Sequence, residues 1–114
     1  MNQQTTFKYD IAAQVAQLTE DGIIGLKGAF SPEWADDMRE DMMPAFWSAI
    51  QRPGGAVGRG PRRWYVEIHP QAFRGFVDLT THPWVVDVCT NMLGADYQIV
   101  EIGFDVPFQG AKYQ

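Results

Sequence analysis

Three side chains in the middle of the chain have the types and spacing to hold a metal ion: Glu67, His69 and His82. Residues i and i+2 of a strand share a face, so Glu67 and His69 could reach one ion together. With His82 they make two histidines and a carboxylate, the ligand set of non-haem iron sites. Each histidine, however, stands directly before a proline, Pro70 or Pro83. A polar residue there closes a strand or opens a helix, and polar termini are the preferred reading of both. Neither histidine has a convincing serine or cysteine partner for a nucleophilic triad. The one cysteine, Cys89, falls on an apolar helical stripe with no cation beside it, so it reads as core filler and not as a nucleophile. Asp36, Asp37, Glu40 and Asp41 form an acidic cluster, which reads as the solvated face of a helix in preference to a metal site.

The segment 52–63, RPGGAVGRGPRR, concentrates glycine, proline and arginine. Glycine-rich backbone beside basic side chains can cradle phosphate. This one lacks the Gly-Lys-Ser/Thr ending of a phosphate-binding loop, and no helical pattern follows it. It reads as a mobile surface loop whose arginines could close over an anionic substrate.

At 114 residues the chain is at most one domain. A net charge of −5 with acids and bases interspersed argues against nucleic acid or an anionic membrane surface as the main partner. A single cysteine cannot make an internal disulfide, which points to a reducing cytoplasm. No apolar run has the length of a membrane span, and the first residues have no leader pattern.

The elements that must position these groups follow an α+β order. Asp10 caps a helix over Ile11–Leu18, a turn follows, and Ile23–Lys27 reads as a strand. Ser31-Pro32-Glu33 opens a helix with Trp34, Met38 and Met42 on its apolar stripe. Pro44 is expected to interrupt it, leaving a second short helix over Ala45–Gln51. Trp64–Ile68 has strand composition, and Gln71–Val77 reads as a helical turn. A helix starting near Pro83 presents Val85, Val88, Cys89 and Met92 on one face and stops at Gly94. Tyr97–Val106 alternates as a long strand. Its even face, Gln98 to Val106, is nearly all apolar and should pack on helices. Its odd face, Tyr97 to Asp105, is mixed, with Gly103 in the middle. A strand-interior glycine often marks a close approach of ligand or backbone, so that face could line a cavity, with plain solvent exposure as the equal alternative. Ala111–Gln114 looks like the opening of a further strand.

In their joint order the stretches DGIIGLKGAFSPE, FVDLTTHPWVVDVCTNMLGADYQIV and PFQGAKYQ resemble the N-terminal part of the phytanoyl-CoA dioxygenase family, over roughly residues 8–114. That resemblance implies an Fe(II)- and 2-oxoglutarate-dependent oxygenase acting on a small molecule. It further implies N-terminal helices packed on the first strands of a double-stranded β-helix, or jelly roll. In the family the stretch like Gly110–Gln114 runs directly into a His-x-Asp motif. A second histidine and a 2-oxoglutarate-holding arginine come much later. The resemblance therefore implies that residues 1–114 are a single incomplete domain that ends before the first iron ligand. Such a chain should bind no cofactor in that mode and be inactive by itself, while its full-length parent would use Fe(II) and 2-oxoglutarate. By the same comparison Arg63, Tyr65, Gly103 and Gln114 would neighbour the cosubstrate. The alternative is a complete non-catalytic α+β module that binds partners or pairs with its own copies through exposed strand edges.

Overall fold

The computed structural model of the chain describes residues 8–111. The fold is α+β: four helices and an open three-stranded antiparallel sheet in the order β1-β2-β3. The described residues gather into two compact units. One comprises the residues through Ser31 together with Asp78–Gln98, the other Pro32–Val77 together with the residues from Ile99 onward.

In the first unit, α1 (Ile11–Asp21) begins where the Asp10 carboxylate accepts the Ala13 N–H at 3.2 Å. It outruns its apolar stripe by three residues and stops at Gly22, whose φ of 79° suits a residue without Cβ and whose N–H donates to the Leu18 carbonyl at 2.9 Å. It packs against α4 (Pro83–Leu93). The Trp84 indole donates to Gln14 at 3.3 Å, and the Tyr9 hydroxyl donates to the Asp87 carboxylate. The residues Ile23–Lys27, expected as a strand, belong to no ladder among the described residues, and Lys27 lies in a turn. Ile24 and Leu26 are half-buried while Ile23 is 72% exposed, so the period-two pattern is present without a pairing partner.

In the second unit, α2 runs unbroken from Pro32 to Ile50 with Pro44 inside it, not as two helices. Pro44 removes one donor, the one that would reach the carbonyl of Glu40. Both residues lie on the exposed side, where water can satisfy that carbonyl, and the buried stripe Met38, Phe46, Ala49 continues past the proline. The acidic residues at 36, 37, 40 and 41 are all exposed, as a solvated face requires.

The segment expected as a loop over 52–63 contains β1 (Val57–Gly58), which pairs with β2 (Arg63–Glu67) as the short arm of a hairpin. Its tip carries Pro61 followed by Arg62 at φ 60°. Two bonds anchor Arg62 in this left-handed conformation. Its carbonyl accepts the Phe108 N–H at 2.7 Å, and its guanidinium donates to the Gln109 carbonyl at 3.0 Å. After β2 come a 3-10 turn, Pro70–Ala72, and α3 (Arg74–Thr81).

The expected long strand Tyr97–Val106 is cut to β3 (Gly103–Pro107). Its ladder runs residue for residue along β2, from Arg63↔Pro107 to Glu67↔Gly103. β2 ends at Glu67 and the chain turns away at His69-Pro70, so the ladder frays after a last bond from Ile68 N–H to the Ile102 carbonyl at 3.1 Å, and residues 97–101 join no ladder among the described residues. The apolar even face is therefore buried only in part: Phe104 is buried, while Val100 is 92% exposed. The core of this unit is aromatic. Phe46 is fully buried and its ring centroid lies 5.0 Å from Trp47, 5.8 Å from Phe108 and 6.2 Å from Trp64. Phe76 of α3 stacks on Phe104 at 6.5 Å.

Candidate functional site

Directly paired residues of antiparallel strands point to the same side of a sheet. The register therefore sorts Trp64, Val66, Phe104 and Val106 onto the aromatic core side. It places Arg63, Tyr65, Glu67, Gly103 and Asp105 on the other. That second face is the mixed one, and it lines a cavity of about 590 Å³. Tyr65 and Glu67 of this face line it, together with Arg52, Gly54, Gly55, Arg59, His69 and Glu101. A neighbouring hollow of about 530 Å³ shares Arg59 and Tyr65 and adds Arg63 and Asp105.

Tyr65 is the centre of this surface. Its hydroxyl hydrogen-bonds to the Glu101 carboxylate, and the Arg59 guanidinium lies 5.2 Å from its ring centroid, in cation–π range. The bond to Glu101, helped by burial and by the charges of Glu101 and Glu67, pushes the phenol up from 10.0 to about 12 against the opposing pull of Arg59. Alongside, Arg63 and Asp105 form an ion pair at 2.7 Å. Gly103 has no room for a side chain. A Cβ there would lie 2.3 Å from the Val66 carbonyl oxygen and 2.5 Å from the Tyr65 hydroxyl. The close approach anticipated at this glycine is thus made by the protein's own β2.

Of the residues singled out from sequence, Arg63, Tyr65 and Gly103 share this face, and Glu67 and His69 line its larger cavity. Gln114 lies outside the described residues. His82 belongs to the first unit, where it is buried as the cap of α4: its Nδ1 accepts the Trp84 N–H at 3.1 Å and its ring lies 5.0 Å from Phe30. Among the described residues no group of three His, Cys, Asp or Glu side chains forms that could hold a metal ion. Cys89 is half-buried on α4. No helix of the described residues is long and apolar enough to cross a membrane. Sequence reasoning named the arginine-rich segment but not Arg59 as the side chain over Tyr65. It placed Glu101 on the mixed face without its bond to Tyr65, since that bond depends on a strand register that no local pattern encodes.

The two raised phenols give a direct measurement. Tyr9, hydrogen-bonded to Asp87, is also pushed from 10.0 to about 12. In both cases the neutral hydroxyl makes the bond, so the stabilisation is complete below pH 10 and is lost as pH rises through about 12. An absorbance titration at alkaline pH should show tyrosinate from Tyr9 and Tyr65 forming late, and Glu101→Gln should return Tyr65 alone toward 10.0. A single transition near 10.0 in both proteins would contradict the two pairings.

Comparison with protein-family models, with curated proteins and with solved structures finds no match to the chain.

Proposed function

We propose that the chain supplies the N-terminal helices and first sheet strands of an Fe(II)/2-oxoglutarate-dependent oxygenase of the phytanoyl-CoA dioxygenase kind. Its parent would hydroxylate a small molecule in a reducing cytoplasm. The observation that carries this reading is the two-faced sheet. One side of β2–β3 is an aromatic core, and the other is a mixed face bearing Arg63, Tyr65 and Gly103, the positions the resemblance puts beside the cosubstrate, with Tyr65 lining both hollows and Arg63 the smaller one. Further support comes from the period-two burial at Ile23–Leu26 and, among the described residues, an open outer edge on β3, both suited to pairing with additional strands.

In that class the bound iron and 2-oxoglutarate supply the oxidising chemistry. The described residues do not fit the metal, since they form no ligand trio, so no catalytic step is assigned to this chain. Its own part is to wall the cavity and hold Tyr65 and Arg59 in place. Two measurements test the assignment. The reading frame beyond Gln114 is expected to encode a His-x-Asp motif within a few codons. Residues 1–114 with Fe(II), ascorbate and 2-oxoglutarate are expected to form no succinate. Succinate formation by this chain would sink the assignment. An in-frame stop directly after Gln114 would favour the second reading, a module that pairs with its own copies, for which the open outer edges of β1 and β3 speak.

A further inference from the structure

The charges on the cavity wall do not cancel among themselves. Arg63 and Asp105 neutralise each other in the adjoining hollow. The larger cavity keeps two guanidiniums, Arg52 and Arg59, and two carboxylates, Glu67 and Glu101. Among the described residues none of these four is in an ion pair. Arg52 donates to the neutral Ser48 hydroxyl at 2.9 Å, Arg59 rests on the Tyr65 ring, and Glu101 takes the neutral Tyr65 hydroxyl. The guanidiniums come from the segment that follows α2 and precedes β2, the carboxylates from the end of β2 and the residues leading into β3. Opposite charges that share one cavity without meeting leave two places for a ligand to satisfy.

We propose that this cavity binds a small zwitterion, its anionic group held by Arg52 and Arg59 and its cationic group by Glu67 and Glu101. A plain anion drawn to the arginines meets two carboxylates in the same space, and a plain cation meets two guanidiniums. A molecule carrying both charges pairs each end and is opposed at neither. The size is suitable, since about 590 Å³ lies within the roughly 300–1,000 Å³ of small-molecule sites. Tyr65, in the same lining, adds an aromatic surface for an intervening hydrocarbon stretch. The inference concerns what this chain's own cavity holds and is independent of the oxygenase assignment.

Calorimetric titration of the chain tests it with 4-aminobutanoate and 6-aminohexanoate against butanoate, hexanoate and butylamine. At least one zwitterion should bind about tenfold or more tightly than every singly charged analogue. Arg52→Gln, Arg59→Gln and Glu67→Gln should each remove that advantage while the far-ultraviolet dichroism stays unchanged. Three separate variants are used so that a structural effect of Arg59 on Tyr65 does not decide the result alone. Equal or tighter binding of butanoate, or of 2-oxoglutarate run in parallel, would overturn the inference in favour of an anion site and leave the oxygenase assignment standing. No binding by any probe would overturn it as well.

Discussion

Gly103→Ala should lower the stability of the sheet-bearing unit by about 3 kcal/mol, the upper part of the range for overpacking. The added methyl would sit 2.3 Å from the Val66 carbonyl oxygen, 2.5 Å from the Tyr65 hydroxyl and 2.7 Å from the ring carbon that bears it. Swinging the Tyr65 ring aside relieves two of these contacts and breaks the bond to Glu101. The third is with backbone, and relieving it means parting β2 from β3 at the Glu67↔Gly103 pair. The variant should therefore show two linked changes: a reduced urea midpoint, and a Tyr65 that ionises nearer 10.0 than 12. An unchanged midpoint together with an unchanged tyrosine titration would show that Gly103 is not the packing notch described.

Phe46→Ala should cost about 3–5 kcal/mol, the usual range for emptying a buried phenylalanine site. Among the described residues Phe46 and Val66 are the largest fully buried side chains, and Phe46 lies beside three other aromatic rings. Truncation leaves Trp47, Trp64 and Phe108 around a void, and Trp47 is already half exposed. Against a total of about 5–15 kcal/mol for a domain, this is a large share of the stability, and the urea midpoint should fall steeply. Near-ultraviolet dichroism and tryptophan emission would report it. Phe46→Leu keeps most of the volume and should cost about 1.5 kcal/mol or less. A loss below about 1 kcal/mol for the alanine variant would place the centre of the core elsewhere.

What could be read in advance divides along the range of the forces involved. Asp10, Pro32, Pro83 and the stop at Gly94 act within one helical turn, and the helix positions they imply are present, while α1 runs past its expected end at Leu18 to the cap at Gly22. Pro44 was misjudged because proline chemistry is local, whereas its cost depends on whether the Glu40 carbonyl can find water, which is set by which face of α2 is buried. Strand lengths were misjudged for a related reason. Residues 23–26 and 97–102 have strand-like side-chain alternation, but a ladder needs a second backbone, and β2 ends before it could reach most of the later stretch. In the site, the mixed face of Gly103 and Asp105 was visible as a period of two, and Arg63 and Tyr65 came from the family resemblance. Arg59 became identifiable only once β1 placed it over Tyr65.

The distant register of β2 and β3 has a kinetic consequence. Val57 and Tyr65 meet across a short hairpin, whereas Arg63 must find Pro107 and Glu67 must find Gly103. Closing that ladder loops out roughly 40 residues, α3 and α4 among them; the entropic penalty grows only slowly with loop size, but it falls due before any contact repays it. The hairpin can form early and alone, and β3 should dock last. Tyr65 with Glu101, Arg63 with Asp105 and the notch at Gly103 all lie across that final seam. Within the sheet-bearing unit the cavity should therefore be complete only once β3 has docked.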